Sequence, residues 1–357
     1  MSGRRAPAVV DDKLCRRCQT NQPAVTVRSE PLCAQCFVKY ASSKVVKRME
    51  SFRVRHAEVG KERMLLLPLS YGASSTVLLH FLSQHLKGQI EKTGRTGFKL
   101  HVIHVQLPDR GTNGTSSSGI RARYPEHEYS TVKLSDVFTV LDPQDIPAAL
   151  DLRGEHGHIS DETRLSCMLS ALDSATSRID VIQILLRKVI VRRARDLGCE
   201  AVLWGDNTTR LAEQSLSESA KGRGSALPWI VADGHSLHGI PFYYPMRDLL
   251  RREIASLTSL LTPPLEHLTS NNDCEKAVVS SKNTSIDDLM RQYFSSVEQD
   301  YPSIVANVVK TSGKLHLSSL EDIRQQCEVC DIPLNAQAQE RSRLCRGCVR
   351  ALRQADG

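Results

Sequence analysis

The stretch Met64-Leu65-Leu66-Leu67-Pro68-Leu69-Ser70-Tyr71-Gly72-Ala73-Ser74-Ser75-Thr76-Val77-Leu78 decides the fold. It opens on a continuous apolar run, short enough for a strand buried on both faces of a parallel sheet. The run breaks into small, hydroxyl-bearing residues, and helical periodicity follows at Val77, Leu78, Phe81, Leu82 and Leu86. A second strand is expected over 99–107, where Leu100, Val102, Ile103, Val105 and Leu107 are apolar. Strand, helix and strand in that order make a βαβ unit with a right-handed crossover. A small-residue loop between such a strand and helix gathers backbone N–H groups where a phosphate can sit. Ser70, Gly72, Ser75 and Thr76 are the candidate contacts. The loop has neither the lysine of a Walker loop nor the three glycines of a dinucleotide fold.

Outward from this unit the strand–helix alternation continues. A short strand is expected within 128–140, a long helix over 179–197 and a strand at 201–204. The turn Gly205-Asp206-Asn207 leads into a helix over 209–220, and Pro245-Met246-Arg247-Asp248 opens a last core helix to 261. Residues 108–119, rich in Gly and Ser, read as a surface loop, and 262–284 as a hydrophilic linker before a helix at 286–299. In the long helix Ile182, Leu186, Val189, Ile190 and Leu197 share a face, and Arg193 falls among them. These elements define an α/β fold with a doubly wound, mostly parallel sheet. The chain divides into 1–60, 61–261, 262–320 and 321–357.

Eight of the 11 cysteines form four Cys-x-x-Cys pairs. Cys15, Cys18, Cys33 and Cys36 stand near the start; Cys327, Cys330, Cys345 and Cys348 stand near the end. Fourteen residues separate the inner cysteines of each set. Two thiolates on a tight knuckle span two corners of a tetrahedron, and a second knuckle closes the site around a cation such as Zn2+. Pairing within each set closes a short loop, whereas pairing across the chain closes one of roughly 300 residues, so local pairing is favoured by about 2–3 kcal/mol. Two independent four-cysteine zinc sites are expected; disulfides, an iron–sulfur cluster and redox dithiols are the alternatives. Cys167 and Cys199 read as buried structural residues.

Charge is unevenly spread. The net charge is +7, yet residues 1–63 alone hold 14 Lys+Arg against 6 Asp+Glu, and the remainder is about neutral. Lys39, Lys44, Lys47, Arg48, Arg53 and Arg55 continue from the first cysteine set along a helix expected over 37–60, a pattern suited to the phosphate backbone of a nucleic acid, with a solvated helix face as the alternative. Tyr40 and Phe52 on that helix could stack bases or pack in the core. His101 and His104, three apart in one strand, face opposite sides and make no joint metal site; His156, His158, His235 and His238 read as solvated. No apolar run approaches the ~20 residues of a membrane span, and no secretory leader is legible. Reduced, metal-ready cysteines suit the cytoplasm.

The run from Leu69 to Leu78 resembles a worn S-G-G-x-D-S pyrophosphate loop of the N-type ATP pyrophosphatases, an adenine nucleotide alpha hydrolase-like, PP-loop fold. Ser70, Gly72 and Ser75 match; Tyr71 stands for a glycine and Ser74 for the aspartate. Gly205-Asp206-Asn207-Thr208-Thr209-Arg210-Leu211-Ala212-Glu213 is similar to that family's G-H-N-x-D-D-x-A-E, with Thr209 and Arg210 at the two aspartates. Magnesium on ATP phosphates needs hard carboxylate oxygens, and Arg210 reverses the charge there. Tyr71 is expected to obstruct the close backbone approach that glycine permits. Where the tRNA-thiolating branch carries a C-x-x-C, this chain has Ile179 and Ile182.

Together the degenerate loop, the basic helix and the cysteine sets at both ends are similar to the cytoplasmic tRNA 2-thiolation protein 2 family. Ser285-Ile286-Asp287-Asp288-Leu289 and Val308-Val309-Lys310-Thr311-Ser312-Gly313-Lys314-Leu315 add to the likeness. The resemblance implies a heterodimer with a catalytic tRNA thiolase subunit. That pair transfers sulfur to C2 of the wobble uridine of cytosolic tRNA, from a thiocarboxylate on a ubiquitin-related modifier. It implies no catalytic residue in this chain and two structural zinc ions, and it leaves ATP binding open. Two rivals are an ATP-dependent tRNA sulfurtransferase active by itself, and a zinc-ribbon scaffold unrelated to tRNA.

Overall fold

Two short strands, β1 (Val25–Val27) and β2 (Glu30–Leu32), and helix α1 (Ala34–Arg48) precede the apolar run, which forms strand β3 (Met64–Pro68). The computed structural model describes residues 11, 13–56, 58, 60, 63–108, 114–140, 159–270, 284–315, 323, 325–334 and 343–352. After β3 come α2 (Ala73–Thr93), β4 (Lys99–Gln106), α3 (Gly114–Arg123), β5 (Glu128–Lys133), α4 (Val137–Val140), α5 (Asp161–Ser170) and α6 (Ala175–Asp196). Then follow β6 (Ala201–Leu203), α7 (Thr208–Ala220), α8 (Leu227–Val231), β7 (Phe242–Tyr243), α9 (Arg251–Leu260), α10 (Ile286–Asp300), α11 (Pro302–Ser312) and α12 (Arg346–Ala351).

The main sheet has the order β5-β4-β3-β6-β7, and all four pairings are parallel. The chain enters at its centre, winds outward through β4 and β5, then returns beside β3 to lay down β6 and β7. The order therefore reverses between β3 and β6. In doubly wound sheets the crevice outside the carboxyl ends of the strands at such a reversal is the ligand site.

Alternation along β3 explains its unbroken leucines. Leu65 and Leu67 enter one core with Phe37, Val77, Leu100 and Ile254; Leu66 enters the other with Ile103, Val189, Leu211 and Phe294. The first core carries α1, α2, α9 and the N-terminal cysteines, and the second carries α6, α7, α10, α11 and the C-terminal cysteines. The two cysteine sets thus lie against opposite faces of the sheet. Among the described residues, no helix is long and apolar enough to cross a membrane.

Several boundaries differ from expectation. Residues 114–119, read as loop, begin α3, and that helix lies on the turn Glu266–Leu268: a Cβ at Gly119 would sit 2.6 Å from the Leu268 side chain. The small residues allow close packing there rather than flexibility. Helix α1 stops at Arg48 and gives way to two tight turns, Glu50–Phe52 and Val54–His56. Pro245–Asp248 is a turn, and α9 starts only at Arg251, where the Glu253 carboxylate accepts the Leu250 N–H at 2.9 Å. Helices α5 and α11 were not foreseen. Residues 141–158, including His156 and His158, lie outside the described residues.

Candidate functional site: a cleft without its carboxylates, and two four-cysteine centres

The loops following β3 and β6 meet at the reversal. Gly205 permits the contact, since a Cβ there would stand 3.0 Å from Ser75 Cα and 3.1 Å from its nitrogen. Asn207 fastens it: its Nδ2 donates to Ser74 Oγ at 3.0 Å, while its Oδ1 accepts the Arg210 N–H at 2.9 Å and caps α7. The Ser75 hydroxyl donates to the Gly72 carbonyl at 3.2 Å and accepts the Ser70 N–H at 3.3 Å. The Ser70 hydroxyl accepts the Gly72 N–H at 3.3 Å, so these hydroxyls hold the loop's shape. Ser70, Gly72 and Ser75 line the cleft; Thr76 is fully buried and does not.

Tyr71 corrects one expectation. It occupies the left-handed region (φ 59°), where a non-glycine residue costs about 1–2 kcal/mol. Its ring does not obstruct the cleft. It is buried against the His104 imidazole at 4.6 Å, and its carbonyl accepts the Ser270 N–H at 2.8 Å. His104 in turn contacts the Leu69 carbonyl at 2.8 Å, whereas His101 turns to Ser130 and Glu128.

The cleft is about 560 Å³. Ile179, Ile182 and Arg187 of α6 form one wall, so the positions expected to replace a C-x-x-C present aliphatic carbon. Thr209 is fully buried: its hydroxyl donates to Glu298 at 2.5 Å, and the other Glu298 oxygen accepts the Arg252 N–H at 2.8 Å. Arg210 pairs with buried Glu213 at 3.5 Å, which Arg251 also engages at 2.6 Å. Of the two positions at which acidic residues would grip magnesium, Thr209 is therefore absorbed into packing between α7, α9 and α10, while Arg210 lines the cleft with its guanidinium held by Glu213. Among the described lining residues, the carboxylates are Asp206 and Asp288. Burial pushes Asp206 up from the usual carboxylate range, against the pull of Arg210 and Gln214. Asp288 caps α10 and pairs with Arg291 at 3.2 Å. Among the described residues, a hard divalent cation finds no pair of free carboxylates here.

The cysteine sets are built alike. Within each, the four sulfurs all lie within 4.8 Å of one another. The Cys15 carbonyl accepts the Gln19 N–H at 2.9 Å and the Cys327 carbonyl the Asp331 N–H at 2.9 Å; Gln19 (φ 53°) and Asp331 (φ 61°) are both left-handed. Cys33 and Cys345 occupy the N-cap positions of α1 and α12, the Cys345 sulfur accepting the Cys348 N–H, and this places Cys36 and Cys348 in the first turns. The sulfurs of Cys18 and Cys33 are 3.8 Å apart, and those of Cys330 and Cys345 are 3.6 Å apart. Tetrahedral Zn–S bonds of about 2.3 Å put sulfurs about 3.8 Å apart, so the spacing fits one ion per set. A four-iron cluster interposes a cube of iron and sulfide and spreads its thiolates further. The Cys327/Cys330 knuckle of the C-terminal set is tied to the body, because Asp331 receives Lys188 at 3.1 Å and His238 at 3.0 Å. His238 is thus not merely solvated. Cys199 is buried as expected, but Cys167 is exposed.

On the basic segment, Lys39 and Lys47 are exposed. Arg48 forks onto Asp248 at 2.7 and 3.0 Å, and Lys44 donates to the Asp248 carbonyl at 2.8 Å. Arg53 and Arg55 both pair with Glu50. Lys44 and Arg17 stand over the Tyr40 ring at 4.4 and 4.8 Å, and Phe52 is core, edge-on to Phe98 and Tyr243. Sequence reasoning missed Asp248 as the anchor of α1, because that pairing spans 200 residues.

Residues 285–351 match the family model described as cytoplasmic tRNA 2-thiolation protein 2. A protein of that name from Phaeosphaeria nodorum is 40% identical over 99% of this chain and 98% of its own length. Its namesake from Pyrenophora tritici-repentis is 43% identical over 90% of this chain and 84% of its own. Among solved structures, the U34-tRNA thiolase NcsA of Methanococcus maripaludis, with its four-iron, four-sulfur cluster, shares the fold. That match has a TM-score of 0.57 and 17% identity, and covers 88% of this chain and 89% of the other. The chain belongs to the cytoplasmic tRNA 2-thiolation protein 2 family.

Proposed function

We propose that this chain is the tRNA-holding, non-catalytic subunit of a cytoplasmic wobble-uridine 2-thiolation complex. A catalytic thiolase partner carries out the transfer, with sulfur drawn from a thiocarboxylated ubiquitin-related modifier. The observation that carries the reading is the cleft itself: Thr209 and Arg210 stand where a magnesium grip would be, and Ile179 and Ile182 where a thiolate pair would be. Family membership supplies the tRNA and the thiolation. Both cysteine sets are read as structural zinc centres.

Two measurements test this. The isolated chain is expected to show no ATP–pyrophosphate exchange, and Ser74→Asp is expected to leave that baseline unchanged, because a single carboxylate beside Asn207 does not complete a metal site. Exchange, or thiouridine formation by the chain alone, would turn the reading over to the active-enzyme alternative. For tRNA, Lys39, Lys44, Lys47, Arg48, Arg53 and Arg55 form the proposed face. Lys39 and Lys47, exposed on α1, are the members best placed for phosphates. Filter binding across a salt series is expected to lose roughly one to two from its log–log slope in the Lys39→Ala, Lys47→Ala double variant. An unchanged slope removes α1 from the interface, and a flat response in the wild type favours the scaffold.

A further inference from the structure

Four thiolates around a divalent cation carry two excess negative charges, and burying that excess is costly unless a positive group sits beside it. The two cysteine sets meet this demand in different ways. In the N-terminal set Cys18 and Cys36 are only partly buried. Among the described residues, its side-chain donors outside the set are neutral: the Asn21 amide, 3.9 Å from Cys33 Sγ, and the Thr20 hydroxyl at Cys18. In the C-terminal set all four cysteines are buried. There Arg223 Nη2 donates to Cys348 Sγ at 3.5 Å.

Arg223 is 2% exposed and cannot turn to water. Its fork also engages Asp180 at 2.9 and 2.5 Å and Glu218 at 3.1 Å. Gly347, between the last two cysteines, makes room for it: a Cβ there would lie 2.7 Å from Arg223 Nε and 2.9 Å from Cζ. The glycine between Cys345 and Cys348 is therefore a seat for a guanidinium, and the planar fork reaches carboxylate and thiolate together as a lysine ammonium cannot.

We propose that Arg223, seated on Gly347, is the charge partner of the C-terminal metal centre. It is a positioning residue that holds Cys348 as a metal-bound thiolate and makes this centre release its ion more slowly than the N-terminal one. The proposal rests on reading both sets as single-ion centres.

The test uses the full-length chain loaded with zinc and challenged with excess chromogenic chelator. Two release phases of one ion each are expected, and the Cys18→Ser, Cys36→Ser double variant removes the fast one. Arg223→Lys should accelerate the slow phase by about tenfold or more, the usual scale for loss of a partner behind a metal ligand, and leave the fast phase alone. Gly347→Ala should act in the same direction, and it carries the test if Arg223→Lys does not fold. After cadmium substitution, NMR should show two metal resonances, of which the variants move one. A slow phase and resonances unmoved in both variants would overturn the role of Arg223, as would equal acceleration of both phases, which signals general loosening. A purified chain that binds no metal instead defeats the metal-centre reading itself.

Discussion

Cys330→Ser is expected to cost one of two bound metal ions and to lower the thermal midpoint by on the order of 10 °C or more. Structural zinc in small modules contributes apparent binding of about 10–16 kcal/mol, comparable with the whole stability of a typical domain, about 5–15 kcal/mol. The C-terminal centre is not an appendage that can melt quietly. Cys327, Val329, Cys330, Ile332, Cys345 and Cys348 belong to the core that holds Val189, Leu211, Phe294 and Val305. Losing the ion releases the knuckle that Lys188 and His238 tether through Asp331, and uncovers the side of α6 on which α12 packs. Cys15→Ser should also leave one ion, but its damage enters through α1, whose remaining hold on the body includes Arg48 and Lys44 on Asp248. Elemental analysis and calorimetry on the two variants read both effects. Two ions retained at an unchanged midpoint in Cys330→Ser would end the claim that metal organises this core.

Much of this was legible because it is local. The β3 run, the small-residue loop and the periodicity of α2 occupy thirty consecutive residues (64–93), and the sheet centre follows from them. The cysteine spacing repeats so closely that a shared local fold was readable before any distance was known. What escaped depends on partners far along the chain. The Gly/Ser-rich start of α3 looks like loop until Leu268 is seen against Gly119. Tyr71 looks like an obstruction until it is found turned into the core on His104. Arg48 looks like a free phosphate contact, yet Asp248 claims it. In the cleft the identities of Thr209 and Arg210 were readable, but not their absorption by Glu298 and Glu213. The sequence reading passes over Lys221-Gly222-Arg223-Gly224, whose two cations are buried because their anions come from α6, α7 and α10.

Asp180→Asn should destabilise the protein by about 3–5 kcal/mol at neutral pH, the usual consequence of leaving buried charges without a partner. Lys221 and Arg223 are each 2% exposed. Asp180 answers both, at 3.4 Å from the ammonium and through the two-pronged contact with the guanidinium. Glu218 and Asp287 share Lys221 at 3.3 and 2.8 Å, but only Glu218 among these two also reaches Arg223. Burial pushes the Asp180 carboxyl up, but Arg223 and Lys221 outweigh it and hold the group below its ordinary range. Its folded value therefore lies below its unfolded one, about 3.9. Between the two values the unfolded chain binds more protons, so this contribution is complete above the unfolded value and is lost as pH falls through the folded one. Denaturant titrations at neutral pH and on the acid side should show a lower midpoint for the variant at pH 7 and a gap from wild type that narrows below about pH 4. A variant matching wild type at pH 7 would mean that Glu218 and Asp287 alone balance both cations, and would make the carboxylate of α6 dispensable.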